Sequence, residues 1–332
     1  MKKVLISRYG AYGDVINCSH LPKILKMNGF DVIDFETNHK GYQILLENPY
    51  IDKLIHFEPS DEQNRNRSLI WLSRHWQAIS EGYDKFINLR NSIEYEWIAM
   101  EDMPEYYMSS DYRRKKYGKI NYADSCLLIA GYEEEIGKFK GDLYFNDREV
   151  EIVNNFNDKY KDYFKVLVNL SGTSLHKRFI QSSEFIKEVI FKYKDVFIFT
   201  TGDKRCEEYS FKHDRVKNLE GLFPFRQVLL LSSKMDCVIG CESGLMVGSH
   251  YFGTPTIQLM TAASKINHGD GLYFIQSGVP CSPCHKGPYK YIGCSIKDGY
   301  PICVHFDMDG ILMNFDSIYI KKESNRLKLS YV

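Results

Sequence analysis

The stretch VIGCESGLMVGSHYFGTPTIQLMTAA, residues 238–263, decides the fold. The apolar residues 237–239 predict a buried strand, and a helix of small and apolar residues connects a polar turn to a second strand at residues 256–260. This order of strand, turn, helix and strand is the repeating unit of a parallel α/β sheet. The polar turn, Glu242-Ser243-Gly244, therefore lies at the carboxyl end of a strand, where a helix begins.

This turn has two interpretations. The free backbone N–H groups at the start of a helix and the positive end of its dipole attract an anion such as phosphate. The Glu242 carboxylate would then hold sugar or ribose hydroxyls, and Gly244 would let the backbone approach the ligand closely. Alternatively, Glu242 and Ser243 only cap an ordinary strand–helix turn, which is the interpretation that the turn favours when it is taken alone.

Outward from this stretch, strand and helix signals alternate twice along the 332 residues. The first run has predicted strands at residues 4–7, 31–35, 53–57 and 85–89, and the second at residues 165–169, 196–200, 237–239 and 256–260. A polar segment near residue 158 separates the two runs. We therefore expect an α/β protein with two Rossmann-like domains, residues 1–158 and 159–332, that face each other across a cleft. Ligands of such sheets bind at the carboxyl ends of the strands.

Composition excludes several classes of protein. The 43 basic and 43 acidic residues balance, so net charge does not indicate binding to nucleic acid or to an anionic membrane. No apolar run is long enough to span a bilayer, so we expect no stable membrane insertion, and the N-terminal MKKVLISRYG predicts a first strand and not a signal peptide. Nine cysteines are too few for a disulfide scaffold and fit a reducing compartment. We expect a cytoplasmic protein, at most located at the inner face of the membrane.

The first turn, SRYGAYGDVIN, contains Gly10, Gly13 and Asp14. The two glycines allow a tight turn and a close approach of the backbone to a ligand. Their spacing differs from that of the dinucleotide-binding fingerprint. Asp14 either caps the helix that follows or places a carboxylate where it can take a proton from an acceptor hydroxyl.

The second turn, NLSGTSLHKRF, offers short donors at a helix start, followed by two cations. Its candidate contacts for a diphosphate are Thr173, Ser174, Lys177 and Arg178. Short hydroxyl and backbone donors beside a permanent cation are what a diphosphate needs, although a solvated turn with two surface cations is an equal alternative. The third turn, TTGDKRCEE, supplies Glu207 or Glu208 as a ribose contact.

Taken in order, these segments resemble glycosyltransferase family nine, the ADP-heptose:lipopolysaccharide heptosyltransferase family. The segment VLISRYGAYGDVINCSHLPKILK is similar to its first strand, turn and helix with G-D-V, and ENPYIDKLIHF to its N-P-x-(I/V)-D segment. NLSGTSLHKRF is similar to its G-x-(S/T) and K-x-W turn, with Phe179 in place of Trp. The region from NLEGLFPF to the end of the opening stretch is similar to its run through D-(S/T)-G-x-x-H to G-T-P. The resemblance covers nearly the whole chain outside residues 92–122.

The resemblance implies a GT-B fold whose N-terminal domain binds the acceptor and whose C-terminal domain binds a nucleotide-sugar donor. It also implies lipopolysaccharide biosynthesis and inversion at the anomeric carbon without a catalytic metal. Asp14 would be the general base. The implied donor contacts are Thr173, Ser174 and Lys177 for the diphosphate, Glu207 or Glu208 for the ribose, and Glu242-Ser243-Gly244 for the sugar and phosphate.

The chain departs from the family pattern at two positions of the donor site. The family Asp before the Ser/Thr-Gly pair is here Glu242, which is one methylene longer. The family His three residues after that Gly is here Val247, and His250, nearly one helical turn further on, is its candidate replacement. Both departures leave the identity of the donor open.

Four cysteines form the pattern C-x2-C-x9-C-x8-C, namely Cys281, Cys284, Cys294 and Cys303. The C-x2-C pair lies in a loop rich in Pro and Gly and can place two thiolates on one tetrahedral ion, so the set predicts a structural zinc or iron. An iron-binding four-cysteine finger is also a feature of the related autotransporter heptosyltransferases. Reduced thiols or a single disulfide are the alternatives. A catalytic metal is not expected there, because four thiolates leave no open coordination position.

These observations favour an inverting glycosyltransferase that moves a heptose or hexose-like unit to an acceptor hydroxyl. The acceptor would be a lipopolysaccharide core or another surface glycan, and alternatively a protein side chain or a modified DNA base. Residues 92–122 form an insert of helix and loop, which we expect over the open edge of the first sheet. Its basic run, Arg113 to Lys116, either binds an anionic acceptor or is solvated. A non-catalytic nucleotide-binding or assembly protein on the same fold is the main alternative, and an epimerase of a related two-domain fold is a weaker one.

Overall fold

The computed structural model describes residues 1–58, 67–89, 92–138, 140–172, 174–203, 211–268, 273–287 and 293–329, with only the backbone described at 67–73 and 325–329. The chain divides into two compact units. The N-terminal unit comprises Met1–Trp97 and Ile120–Asn146, and the C-terminal unit comprises Ile98–Lys119 and Asp147–Val332.

The N-terminal unit is built on a parallel sheet of four strands in the order β3-β2-β1-β4. The strands are β1 (Lys3–Ser7), β2 (Val32–Thr37), β3 (Lys53–His56) and β4 (Lys85–Asn88). The helices are Tyr12–Ile16, Leu21–Met27, His39–Leu45, Arg67–Ser80 and Tyr122–Ala130. Residues 4–7 of β1 are all buried, as expected for a central strand that has a neighbour on each side and helices on its faces.

The C-terminal unit is built on a parallel sheet of six strands in the order β10-β9-β8-β5-β6-β7. The strands are β5 (Phe164–Asn169), β6 (Val196–Thr201), β7 (Val216–Asn218), β8 (Cys237–Cys241), β9 (Thr256–Met260) and β10 (Tyr273–Gln276). The helices are Ser110–Tyr117, Asp147–Asn157, Ser182–Lys192, Phe225–Ser232, Gly244–Tyr251 and Met308–Leu329. A short antiparallel pair, β11 (Ile296–Lys297) and β12 (Tyr300–Pro301), completes the unit.

A core of aromatic and branched side chains fills one face of the C-terminal sheet. Phe164 of β5 and Phe185 of the helix Ser182–Lys192 both pack edge to face on Phe315 of the last helix. All three rings are fully buried. The last helix begins after Asp307, whose Oδ2 accepts the Gly310 N–H at 3.2 Å, so Asp307 caps this helix.

The prediction of an α/β protein made of two Rossmann-like domains is confirmed, while two details differ. The helix Asp147–Asn157, which the sequence placed in the first domain, belongs to the C-terminal unit. There Arg226 Nε donates to Glu149 Oε1 at 2.6 Å and ties this helix to the helix Phe225–Ser232. The helices of the described residues include none that is both long and apolar enough to cross a membrane.

The insert also differs from its expected position over the edge of the first sheet, because Ile98–Lys119 packs in the C-terminal unit. Ala99 pairs with Lys286 in an isolated parallel bridge, and its N–H donates to the His285 carbonyl at 2.8 Å. Sequence patterns could not predict this, since the insert and its partner segment lie more than 160 residues apart.

Each sheet has one point where the strand order reverses. In the first sheet the chain moves from β1 to β2 and β3 and then returns to place β4 on the other side of β1. In the second sheet it moves from β5 to β6 and β7 and returns to place β8 beside β5. Ligands of doubly wound sheets bind outside the carboxyl ends of the strands at such reversal points. The residues that follow β1 and β4, and those that follow β5 and β8, are therefore the candidate site residues.

Candidate active site

Asp14 lies in the first turn of the short helix Tyr12–Ile16, just beyond the carboxyl end of β1. Its Oδ2 accepts the backbone N–H of Ala11 at 2.6 Å, so the carboxylate holds the start of the helix without being its N-cap residue. The side chain remains 21% exposed. Asp14 therefore combines a fixed position with access to a ligand.

The turn before Asp14 needs a glycine at one position. Gly10 has φ +152°, and a Cβ built there would lie 2.5 Å from Asp14 Oδ2. A side chain at this position would displace the carboxylate. Gly13, the second predicted glycine, lies inside the helix next to Asp14, and its carbonyl accepts the Asn17 N–H at 3.0 Å.

A buried guanidinium lies beneath Asp14. Arg8 directly follows β1, its side chain is fully buried, and its Nη2 lies 3.4 Å from Asp14 Oδ1. The same nitrogen lies 3.1 Å from Glu94 Oε2, in the segment that follows β4. Burial lowers the pKa of Arg8, but the carboxylates of Glu94 and Asp14 outweigh it and raise that pKa above its ordinary value. Arg8, Asp14 and Glu94 together form the polar cluster at the reversal point of the first sheet.

The C-terminal reversal point is occupied by the loop that follows β5. The Gly172 N–H donates to the Lys177 carbonyl at 2.6 Å, and Ser171 forms an antiparallel bridge with Arg178, which closes the loop. A Cβ on Gly172 would lie 2.8 Å from Lys177 Cβ and 3.3 Å from the Glu242 carbonyl oxygen. Gly172 thus lets this loop pack against the turn that follows β8.

Lys177 is the available cation of this loop. Its side chain is half-buried, and within the described parts of the chain its ammonium group has no hydrogen bond or ion pair. Burial and then the charge of Lys177 lower the pKa of His176 to about 4, so His176 is neutral at pH 7. The same two causes lower the pKa of His268 to about 3. Lys177 therefore supplies positive charge next to two histidines that are uncharged at pH 7.

Ser174 and Arg178, the other described candidates of this loop, differ in their surroundings. Ser174 Oγ is a buried oxygen without a hydrogen-bond partner among the described residues. Arg178 is buried, and its Nη1 pairs with Asp203 Oδ1 at 3.2 Å, so it ties this loop to the turn after β6. Three further predicted contacts, Thr173, Glu207 and Glu208, lie outside the described residues.

The turn Glu242-Ser243-Gly244 follows β8 and begins the helix Gly244–Tyr251. Ser243 is the N-cap residue. Its Oγ accepts the Met246 N–H at 3.4 Å and the Asn169 Nδ2 hydrogen bond at 3.0 Å, which joins the ends of β5 and β8. The cap interpretation is therefore confirmed for Ser243.

Glu242 is buried and already has partners on one of its oxygens. Its Oε1 accepts the backbone N–H groups of Thr261 at 3.3 Å and Ala263 at 3.2 Å. The carboxylate thus fixes the segment that follows β9, and only Oε2 remains for a ligand hydroxyl. His250, the predicted replacement for the family histidine, is buried in the last turn of the helix Gly244–Tyr251, away from its N-terminus. That position favours a packing role.

The four cysteines of the metal prediction lie close enough to one another to interact electrostatically. Burial and the charges of the other three thiols raise the pKa of Cys303 to about 12. Burial raises the pKa of Cys284 to about 11, with Cys294 and Cys281 contributing. All four sulfurs are free thiols. No three His, Cys, Asp or Glu side chains of the described residues are arranged as metal ligands.

Two arginines of the helix Ser110–Tyr117 hold the C-x2-C loop. Arg113 is buried, and its Nε donates to the Cys284 carbonyl at 2.5 Å. Arg114 donates to the carbonyls of Pro283 and Ser282, at 3.2 Å each, and of Pro280. These contacts differ from both alternatives for the basic run, because the two guanidinium groups donate to the loop backbone.

Comparison with known structures identifies the fold. No protein-family model and no curated protein sequence matches the chain. A glycosyl transferase family 9 protein from Veillonella parvula is 16% identical, with a TM-score of 0.64 over 96% of this chain and 97% of that chain. The chain has the fold of a family 9 glycosyltransferase.

Two further structures share this fold. The E. coli ADP-heptose LPS heptosyltransferase II is 12% identical, with a TM-score of 0.63 over 97% of this chain and 100% of that chain. The dodecameric iron-containing heptosyltransferase TibC of E. coli, in complex with ADP-D-β-D-heptose, is 10% identical, with a TM-score of 0.61 over 98% of this chain and 76% of that chain. The predicted GT-B fold class is confirmed.

Sequence reasoning missed Arg8 and Glu94. Arg8 stood in the quoted first turn, directly after an apolar strand, and a cation at that position was a usable signal. No local sequence signal pointed to Glu94, because its ion pair with Arg8 joins residues that are 86 positions apart. The structure brings together Asp14 with Gly13 in one unit, and Lys177, Ser174 and the Glu242 turn in the other.

Proposed function

We propose that this protein is an inverting glycosyltransferase that moves a hexose- or heptose-like sugar from a nucleotide-diphosphate sugar to an acceptor hydroxyl. The observation that carries the proposal is the position of the polar clusters. Within a chain that has the GT-B fold along its whole length, each sheet has its polar cluster at its own strand reversal. One cluster is built around carboxylates and suits a hydroxyl, and the other is built around a lysine and suits a diphosphate.

The donor would bind at the C-terminal reversal point. The Lys177 ammonium is the charge partner for the diphosphate, and the backbone N–H groups at the start of the helix Gly244–Tyr251 add neutral donors. His176, next to Lys177, is neutral at pH 7 and adds no charge to the site. When the bond between the anomeric carbon and the diphosphate oxygen breaks, negative charge grows on that oxygen. Lys177 stabilises this charge without a metal ion.

The acceptor would be activated in the N-terminal unit. Its hydroxyl oxygen attacks the anomeric carbon from the side opposite to the leaving diphosphate, which inverts the configuration. Asp14 takes the hydroxyl proton, and its two fixed contacts, to the Ala11 N–H and to Arg8, keep the carboxylate in one orientation. We propose a glycan as the acceptor, with protein and modified DNA as alternatives, and a cytoplasmic location.

The donor can be found by a binding screen. Two structures of this fold are described as ADP-heptose enzymes, so ADP-heptose is the first candidate. Glu242 and Val247 at the donor turn keep UDP- and GDP-sugars in the screen. We expect at least one of the three nucleotide classes to raise the melting temperature by about 3 °C or more at saturation, because a ligand that binds only the native state stabilises it.

The same screen tests the alternative function. Glu242 Oε1 is used by the Thr261 and Ala263 N–H groups, which is the observation that would suit a degenerate site. A shift without any turnover would favour a non-catalytic nucleotide-binding protein. No shift with ADP-, UDP- or GDP-sugars would contradict a nucleotide-sugar site.

We further propose that the four-cysteine cluster holds a structural zinc or iron ion. Number and chemistry fit, since four thiolates suit either metal. The described side chains are not arranged as a set of metal ligands in this structure, so binding would have to draw the four thiols together. TibC, which has the same fold, is described as iron-containing. Cys281, Cys284, Cys294 and Cys303 would bind the ion, and its effect would be to hold the loop together.

Elemental analysis tests this site. We expect about one zinc or iron per chain and none in a Cys281→Ser/Cys284→Ser variant. That variant should melt at least about 4 °C lower, since a structural metal adds its binding free energy to folding. A Cys126→Ser variant, changed in the other unit, should keep the metal. Purified protein without zinc and iron would contradict the proposal.

A further inference from the structure

The cluster at the reversal point of the first sheet has an unusual distribution of burial. The Arg8 side chain is 0% exposed, whereas the two carboxylates that pair with it, Asp14 and Glu94, are 21% and 23% exposed. A single nitrogen, Nη2, makes both ion pairs. The cation therefore lies at the bottom of the site, and both anions lie between it and the solvent.

This arrangement contributes little to the free energy of folding. Burying a guanidinium carries a desolvation penalty that ion pairing recovers only with favourable geometry, and exposed pairs contribute little. With all three groups ionised, the cluster carries one uncompensated negative charge. Burial raises the pKa of Glu94, Arg8 lowers it, and the neighbouring Asp14 charge raises it again, so the net shift is upward. The two carboxylates thus compete for one guanidinium.

We propose that Arg8 is a positioning residue that holds Asp14 as an oriented carboxylate, and that Glu94 sets how much of the positive charge acts on Asp14 by sharing that guanidinium. This inference rests on the proposed role of Asp14 as the general base. With Arg8 alone, the whole positive charge of the guanidinium would act on Asp14. Glu94 takes part of the positive charge and repels the Asp14 anion, which makes proton uptake from the acceptor hydroxyl more favourable.

Two other titratable groups face this cluster. Cys18, which follows the helix Tyr12–Ile16, and Cys126, in the helix Tyr122–Ala130, are buried thiols that interact electrostatically with Arg8. Cys18 also interacts with Asp14. Burial raises the pKa of Cys18, so this thiol stays neutral across the acidic range in which the carboxylates titrate. The hydrogen bond with Cys18 lowers the pKa of Cys126, so Cys126 is a further group, beside the two carboxylates, that acts on Arg8.

The pH dependence of kcat/KM separates the two roles. In Glu94→Gln the acidic limb of this pH profile should shift to lower pH by about one unit, because Arg8 then pairs with Asp14 alone. In Arg8→Gln the acidic limb should shift to higher pH by about one unit, because two carboxylates remain side by side without a cation. Arg8→Lys, which keeps the charge, should recover most of the wild-type position if Arg8→Gln does not fold. Glu96 is an exposed neighbour of Glu94, so Glu96→Gln is the control and should leave the pH profile unchanged.

A measurement without turnover keeps the inference independent of the proposed function. Carbon-13 NMR of labelled glutamate should show the Glu94 carboxyl carbon titrating above ordinary glutamates, and at lower pH in Asp14→Asn. This result supports the shared cluster even if no donor is ever turned over. A Glu94 titration that Asp14→Asn does not change would overturn it, as would Glu94→Gln and Arg8→Gln moving the acidic limb in the same direction.

Discussion

An Asp14→Asn variant is expected to lose sugar transfer by about 10³-fold while it binds the donor within about twofold of wild type. The amide keeps the size of the side chain but cannot take a proton from the acceptor hydroxyl. The proposed donor contacts lie in the C-terminal unit of the chain. Release of nucleoside diphosphate reports the transfer, and calorimetry with the nucleotide sugar selected by the thermal screen reports donor binding.

The control for this variant is Asp31→Asn, since Asp31 also lies in the N-terminal unit and its side chain is 56% exposed. It should leave the rate unchanged. A melting temperature of Asp14→Asn close to that of wild type would show that the loss is chemical. Normal turnover in Asp14→Asn would remove Asp14 from the mechanism.

A Lys177→Ala variant is expected to bind nucleoside diphosphates about 10- to 100-fold more weakly, which is the range for a hydrogen bond to a charged group. The half-buried ammonium has no hydrogen bond or ion pair within the described residues, so its removal leaves no protein group unpaired. The rate should fall as well, because in the proposed mechanism Lys177 also stabilises the leaving diphosphate. Calorimetric titration with ADP, UDP and GDP measures the binding loss.

Lys187→Ala is the matched control, because Lys187 is exposed on a helix of the same unit. It should bind all three nucleotides as wild type does. If Lys177→Ala bound them equally well, the diphosphate would have to bind at a different place.

The strand pattern could be predicted from the sequence because the central strands are apolar and end in polar turns. The predicted strand 256–260 is β9, and the predicted strand 165–169 lies within β5, Phe164–Asn169. The helical spacing of residues 14–27 predicts one helix, and this prediction is wrong. The segment forms Tyr12–Ile16 and Leu21–Met27, with Pro22 at the start of the second, where proline is tolerated.

Local patterns failed where long-range contacts decide the structure. The outer strand β7, with only three residues, is too short to give a periodic signal. The sequence does not indicate which segment the insert contacts. In the structure, Arg113 and Arg114 bind the C-x2-C loop about 170 residues further on. Turn residues such as Asp14 and Lys177 were predictable, since the carboxyl ends of parallel strands bring them to their sites without distant partners.

The most direct test of the central claim is a crystal structure with the nucleotide sugar that gives the largest thermal shift. We expect the diphosphate oxygens within about 3 Å of Lys177 Nζ and of the backbone N–H groups that begin the helix Gly244–Tyr251. A diphosphate bound to the N-terminal sheet, or bound in the C-terminal unit away from Lys177, would contradict the account.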